Sequence, residues 1–493
     1  MDRLLVSAAH KSSGKTTLSV GLCAAFAARG VAVQPFKKGP DYIDPMWLGQ
    51  AAGRHCFNLD PTLMDDAAME RGFLQSLPGA ELALVEGNKG LYDGLALDGS
   101  NSNAALARRF GLPVLLVIDA RGMTRGIAPL ILGYQAFERD IRIGGVILNR
   151  VGGSRHEAKL RAVIEHYTDV PVLGAVAEDA RLSVVERHLG LVPCAEAGDA
   201  QARVRQIGQV VAQQVDLDRV RALGASAGAL PACRFASASP LKSAAASRSA
   251  DLRIGIARDR AFGFYYPDDL EALRATGAEL VPIDTLHDTR LPDIDGLFIG
   301  GGFPETCMRE LEANAALRGA IRDALVAGLP AYAECGGLMY LSRSITWQGR
   351  SARMVGVIPG DAVMHDRPVG RGYVHLQETA LMPWAAALDG GMAGGLVRGH
   401  EFHHSSLENL DPGQAFAYRV RRGHGIDGTN DGLLVHNLLA SYAHLRSEAG
   451  SHWAARFTAF VRQHRQARCP SHPRLHAGES EAPTQRVAAR ACP

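Results

Sequence analysis

Ala9-His10-Lys11-Ser12-Ser13-Gly14-Lys15-Thr16-Thr17 has the spacing of a nucleotide-phosphate loop, with Ala9 in place of the usual first glycine. Small residues let backbone N–H groups wrap a phosphate, and the helix that follows adds its positive end. Lys15 would neutralise phosphate charge, and the Thr16 hydroxyl would reach Mg²⁺. Gly14 and Thr17 complete the cradle. Far along the chain, Ala333-Glu334-Cys335-Gly336-Gly337 places a cysteine where an apolar run meets two glycines. That is the pattern of a nucleophile on a strand-to-helix turn, where the helix N-terminus favours a thiolate. A phosphate loop can activate a carboxylate as an acyl phosphate. A nucleophilic cysteine can release ammonia from L-glutamine. The pair points to an ATP- and glutamine-dependent amide synthesis.

Each site needs helpers. Lys37-Lys38-Gly39-Pro40-Asp41-Tyr42-Ile43-Asp44-Pro45 follows a second apolar run, and Leu84-Val85-Glu86-Gly87 ends a third. In a parallel sheet ligand groups gather at the carboxyl ends of strands. Asp41, Asp44 and Glu86 are therefore placed near the phosphate loop, and hard carboxylate oxygens suit Mg²⁺. Thr16, Asp41 and Glu86 form the candidate metal set. Lys37 and Lys38 are suited to the γ-phosphate or a substrate carboxylate. Asn149 closes another apolar run, and its amide could read an adenine edge; a turn-forming role serves equally well. For the cysteine, Gly300-Gly301-Gly302 offers backbone N–H groups to an oxyanion, with Gly301 and Gly302 the candidates. The base is assigned to His444, with His400, His403, His404 and His436 as competitors.

The elements that must position these groups follow from hydrophobic pattern. Apolar runs at 4–8, 31–36, 82–86, 114–119 and 146–149 alternate with longer helical stretches. That predicts an α/β domain with a mostly parallel, doubly wound sheet. Residues 222–250 are rich in Ala, Ser, Gly and Pro and read as a flexible linker between residues 1–221 and a second α/β domain over 251–465. The polar, basic tail 466–493 reads as disordered.

Composition bounds the rest. Of 493 residues, 53 are Lys or Arg and 51 Asp or Glu, a formal charge of +2. Nothing draws the whole chain to nucleic acid or an anionic membrane. No apolar stretch approaches the roughly 20 residues of a membrane helix. Eight cysteines lack CxxC spacing, which fits reduced thiols and, with no signal peptide, a cytoplasmic protein.

Several strings match a known family in order. They are Lys38-Gly39-Pro40-Asp41-Tyr42-Ile43-Asp44-Pro45, Gly90-Leu91-Tyr92-Asp93-Gly94, Glu186-Arg187-His188-Leu189-Gly190-Leu191, Ala261-Phe262-Gly263-Phe264-Tyr265-Tyr266 and Gly399-His400-Glu401-Phe402-His403. Over nearly its whole length, linker and tail excluded, the chain resembles the cobyrinic acid a,c-diamide synthases. The resemblance implies a dethiobiotin-synthetase-type P-loop domain followed by a class I glutamine amidotransferase domain. It implies that ATP phosphorylates a carboxylate of a tetrapyrrole and that ammonia released at Cys335 displaces phosphate, the a and c acetates being amidated in turn. Nucleotide and Mg²⁺ positions of the family match Lys15, Thr16, Asp41 and Glu86; its nucleophile and base match Cys335 and His444. Lys38, Asp44, Lys89 and Arg187 are the candidates for holding the polycarboxylate substrate. A homodimer is compatible with this reading.

The chain also departs from the family. Class I amidotransferases usually carry a Glu two residues after the base, where this chain has Arg446, so a Cys–His dyad is expected. Asn88-Lys89 stands where cobyrinate enzymes usually have apolar residues, and this string looks like that of sirohaem-amidating relatives. Sirohaem or sirohydrochlorin is therefore an alternative ring. A regulatory P-loop ATPase is a further alternative; such switches carry a second lysine four residues before Gly14, and here that residue is His10.

Overall fold

Why the apolar runs of the first half are continuous is explained by burial on both sides. The computed structural model describes residues 1–182, 186–187, 190–191, 199–230, 250–384 and 395–468. Seven strands form its first sheet: β1 (Asp2–Ala8), β2 (Val33–Lys38), β3 (Phe57–Leu59), β4 (Leu82–Glu86), β5 (Val114–Asp119), β6 (Ile143–Val151) and β7 (Val172–Ala177). Their order is β3-β2-β4-β1-β5-β6-β7 and every pairing is parallel. Along β1, Leu4 and Val6 enter the core on one face and Leu5 the core on the other. A parallel sheet covered on both faces demands this pattern.

Helix α1 (Lys15–Ala28) starts at Gly14, whose φ of 88° suits glycine. It lies so close to α3 (Ala200–Gln214) that a Cβ on Gly21 would sit 2.3 Å from Val211 Cγ2. Between them in sequence, α2 (Ile43–Ala52) packs on α1. Helix α4 (Leu217–Ala225) runs past residue 221, where the first domain was expected to end.

The second sheet begins at β8 (Leu252–Ala257) and continues with β9 (Ala278–Ile283), β10 (Gly296–Ile299), β11 (Ala331–Glu334), β12 (Gly370–Glu378), β13 (Leu396–His403), β14 (Ala415–Arg422), β15 (Asn430–Val435), β16 (Leu438–Ser441) and β17 (His444–Leu445). The order is β9-β8-β10-β11-β16-β15-β14-β12-β13-β17. From β9 to β16 the pairings are parallel; beyond β16 they are antiparallel. The final helix, Trp453–Arg468, passes residue 465 and returns Trp453 and Phe457 to the core under this sheet. Most of the expected linker and the expected disordered tail lie outside the described residues.

Polar contacts tie the two halves. The Tyr373 hydroxyl donates to both oxygens of Asp60 at 3.1 Å, and Arg71 pairs with Glu448 at 3.2 Å. Arg446, 0% exposed, donates to the Asn58 carbonyl at 3.3 Å and to Asp268, with its guanidinium 4.5 Å over the Tyr266 ring. Cys23, Cys56, Cys307 and Cys335 are buried and form no disulfide with one another, and the other four cysteines lie outside the described residues. Among the described residues no helix is long and apolar enough to cross a membrane.

Candidate active site

The phosphate loop lies between β1 and α1. Ser12 (φ 62°) and Gly14 are both left-handed, which turns successive backbone N–H groups inward. Lys15 is 7% exposed, and burial brings its ammonium down to about 8. Asn149 Nδ2 donates to the Ser13 carbonyl at 2.9 Å, and it fills the space in which a Gly14 side chain would stand. Its Nδ2 thus braces the phosphate loop from below.

The carboxylates are arranged differently from the sequence expectation. Thr16 Oγ1 donates to Glu86 Oε1 at 2.7 Å and contacts Asp44 Oδ2 at 3.1 Å. Lys37 Nζ joins the same two carboxylates, at 2.5 Å from Asp44 and 2.9 Å from Glu86. Burial alone would discharge Lys37, but Asp44 and Glu86 outweigh it and hold its pKa well above the ordinary lysine value. Asp41 stands apart. Its Oδ1 accepts the N–H groups of Ile43 and Asp44, so it caps α2, and burial with the Asp44 charge pushes it up to about 7. Asp44, a substrate candidate by sequence, contacts Thr16 and shares Lys37 with Glu86; Asp41, a metal candidate, accepts from the α2 backbone and lies within the field of Lys37 and Glu86. The oxygens of Thr16, Asp44 and Glu86 suit Mg²⁺, and Glu86 Oε2 is buried without a hydrogen-bond partner.

In the second half, β11 ends at Cys335, whose φ of 47° and ψ of −103° mark the tight turn into the helix Gly336–Leu341. Such backbone strain is held only where the surroundings enforce it. Here the Cys335 N–H donates to the Ser441 carbonyl at 2.7 Å, and Gly337 lies so near Ile299 that a Cβ would stand 2.2 Å from its carbonyl oxygen. Cys335 is 7% exposed, and it lies close enough to His444 to favour the charged imidazole. Gly301 faces the imidazole: a Cβ there would lie 2.5 Å from His444 Cε1. Gly302 faces Gly336, while the Gly300 N–H is taken by the Tyr265 hydroxyl at 3.0 Å. Gly301 thus lies against the imidazole and Gly302 against the residue after Cys335.

His444 has a third partner. Glu334 Oε2 lies 3.3 Å from His444 Nδ1, and Glu334 Oε1 accepts from Leu445 N–H at 3.0 Å and from the Tyr332 hydroxyl at 2.6 Å. Burial would lower the His444 pKa, but the hydrogen bonds and charges of Cys335 and Glu334 raise it to about 10. The expected dyad is a Cys–His–Glu array. Its carboxylate comes from the residue before the nucleophile, and sequence reasoning missed it. The one available signal was a buried acid ending an apolar strand beside the cysteine.

The competing histidines separate cleanly. His403 stacks on Tyr442 at 3.9 Å and gives Nδ1 to the Ser405 carbonyl at 2.7 Å. His404 Nδ1 contacts the His365 carbonyl, and His436 lies exposed in the turn before β16. His400 is opposite His444 in the β13–β17 register, and burial with the His444 charge lowers it to about 3.

A cavity of about 750 Å³ joins the halves. Lys38, Asp41, Tyr42, Asn88 and Lys89 line one wall, and Cys335, Arg371, His400, Arg422 and His444 the other. Lys38 Nζ donates to Asn88 Oδ1 at 3.0 Å, which explains a polar residue at position 88. Burial lowers Lys38 to about 8. Lys89, at φ 44°, is exposed on the rim. Arg187 lies in the short strand Glu186–Arg187, and its side chain is outside what is described.

Comparison with known proteins agrees with both halves. Residues 5–192 match the CobQ/CobB/MinD/ParA nucleotide binding domain, and residues 253–451 the CobB/CobQ-like glutamine amidotransferase domain. Cobyrinate a,c-diamide synthase of Magnetococcus marinus is 46% identical over 469 residues, covering 94% of this chain and 98% of the relative. The enzymes of that name from Methanosarcina acetivorans and Listeria monocytogenes (strain F2365) are 41% and 38% identical, covering 95% and 90% of this chain and 97% and 96% of theirs. With this identity held over more than nine-tenths of both chains, the chain belongs to the cobyrinate a,c-diamide synthase family.

Proposed function

We propose that the protein amidates the a and c acetate carboxylates of a cobyrinate-type tetrapyrrole, using ATP and L-glutamine. The observation that carries this reading is the shared cavity: the cysteine–imidazole pair stands on one wall and the Lys38–Asp41 turn beside the phosphate loop on the other. Ammonia formed at Cys335 would meet an activated carboxylate without leaving the protein.

The chain's own groups support each step. His444 takes the thiol proton and holds it as an imidazolium against Glu334, so Cys335 attacks the glutamine carboxamide as a thiolate. The proton returns to the departing ammonia, and water then frees glutamate from the thioester. The backbone N–H groups of Gly301 and Gly302 would receive the oxyanion. In the other half, Lys15 and the loop N–H groups hold the ATP phosphates while a ring carboxylate attacks the terminal phosphorus. Thr16, Asp44 and Glu86 would hold Mg²⁺, which when bound neutralises phosphate charge. Lys38, Lys89, Arg371 and Arg422 give the cavity the cations a ring with many carboxylates requires. Ammonia attacks the acyl phosphate carbonyl and phosphate leaves.

The Asn88–Lys38 pair favours testing a second ring, since it makes the cavity floor polar. The experiment supplies ATP, Mg²⁺ and glutamine with cobyrinate, hydrogenobyrinate, sirohydrochlorin and sirohaem in parallel, and counts carboxylate-to-amide exchanges by mass spectrometry. Two exchanges on a cobyrinate-type ring are expected. Exchange only on sirohaem or sirohydrochlorin would move the assignment to that ring, and exchange on none would overturn it.

A further inference from the structure

We propose that Tyr42, a residue of the nucleotide-binding half, is a positioning residue for the His444 imidazole and makes glutamine hydrolysis depend on occupancy of the phosphate site. The inference rests on the glutaminase reading of Cys335 and His444; it does not depend on which ring is amidated.

Tyr42 is the N-cap residue of α2, and its ring reaches across the domain boundary. It stacks on Phe264 at 5.3 Å with only 8° between the planes, lies 4.4 Å from Tyr266, and stands 5.0 Å from the His444 ring at 47°. His444 is therefore held on one side by Glu334 and on another by an aromatic face belonging to the other domain. An imidazolium is attracted by such a face, and the contact excludes water from it.

Two residues later the same turn carries Asp44, which contacts Thr16 and Lys37 in the phosphate site. The segment between them is stiff. Asp41 Oδ1 accepts the N–H groups of both Ile43 and Asp44, which fixes the first turn of α2 as a unit. The rest of the helix is anchored on the same boundary: Ile43 and Trp47 share a core with Phe303, the residue after Gly301-Gly302, and the Met46 methyl lies 3.2 Å from where a Gly263 side chain would begin. A nucleotide and its cation compete for Thr16, Lys37 and Asp44. Any change of partners at Asp44 is handed through one capped turn to Tyr42, and from there to the imidazole. Coupling between sites requires a physical element that both contact, and α2 is that element.

The test reads Cys335 directly. Full-length protein is alkylated with a glutamine-like diazoketone, with and without a non-hydrolysable ATP analogue and Mg²⁺, and modification of Cys335 is followed by mass spectrometry. Wild type should alkylate at a rate that changes with nucleotide. Tyr42→Phe should behave as wild type, since the ring does the positioning. Tyr42→Leu should alkylate roughly 2- to 30-fold more slowly, the span of a lost cation–aromatic contact, and should no longer respond to nucleotide. Phe264→Leu removes the ring stacked on Tyr42 and should weaken the response in the same direction, which covers a Tyr42→Leu protein that fails to fold. A nucleotide response retained in both leucine variants, or absent from wild type, overturns the proposal. No alkylation of Cys335 in wild type would instead overturn the glutaminase reading itself.

Discussion

Glu334→Gln is the sharpest probe of the cysteine site. The carboxylate meets three donors: His444 Nδ1 at 3.3 Å, Leu445 N–H at 3.0 Å and the Tyr332 hydroxyl at 2.6 Å. All are buried, so water cannot replace a lost partner. A glutamine of the same shape offers one acceptor oxygen and must turn its NH₂ toward a donor. Hydrogen bonds to charged groups are worth about 1.5–3 kcal/mol. At about 1.36 kcal/mol per tenfold, losing the one that steadies the imidazolium should slow glutamine hydrolysis roughly 10- to 150-fold. The pH profile should move as well. Cys335 and Glu334 together raise His444 to about 10 against the effect of burial. Removing one of them lets the imidazolium lose its proton earlier, so the alkaline limb of the profile shifts to lower pH. The assay is steady-state glutaminase activity across pH, with ammonia-supported amidation as the control. Ammonia bypasses Glu334, so that rate should stay near wild type. A glutaminase rate within about twofold of wild type with an unmoved alkaline limb would refute the orienting role.

Three other outcomes are expected. Cys335→Ser should abolish glutamine use and leave ammonia-supported synthesis, whereas Lys15→Ala should stop synthesis from either nitrogen source; steady-state assays with both donors check the pair. Gly301→Ala puts a methyl 2.5 Å from His444 Cε1, and displacing a catalytic group by about an ångström should cost about 100-fold in glutaminase while ammonia-supported turnover survives. Asp44→Asn should damage synthesis from both donors more than Asp41→Asn, measured as kcat with ammonia at saturating ATP, because Asp44 and not Asp41 lies against Thr16.

The parts of this protein that are local in sequence were legible there. Apolar runs at 82–86 and 114–119 became β4 and β5 without change, and the glycines around Cys335 and Gly14 announced turns that only small residues fit. Strand β3 escaped because three residues carry too little pattern, and β7 was not assigned at all. Side-chain direction was the harder loss. Asp41 and Asp44 are three residues apart, and sequence alone does not say which one a Gly-Pro turn sends toward Thr16; in the structure Asp44 contacts Thr16 and Lys37 while Asp41 accepts from the α2 backbone. The same holds for Asn149, near the end of β6, whose Nδ2 points to the Ser13 carbonyl of the phosphate loop. Glu334 is illegible as an orienting acid in the sequence because nothing local to His444 points to it. The acid comes from a strand 110 residues earlier, brought alongside by the β11–β16 pairing that leads into β17.

Arg446 occupies the position where an acid would otherwise follow the base. Wholly enclosed, it binds the Asn58 carbonyl of one half and Asp268 of the other, above Tyr266. A guanidinium cannot shed its charge, so this contact constrains how the protein may be taken apart. Freed from the first half, the second would keep its nucleophile but lose the carbonyl that receives Arg446. It is therefore not a portable ammonia generator. Grafting it onto an unrelated synthetase would require a new acceptor for that one cation before the thiol chemistry could be borrowed at all.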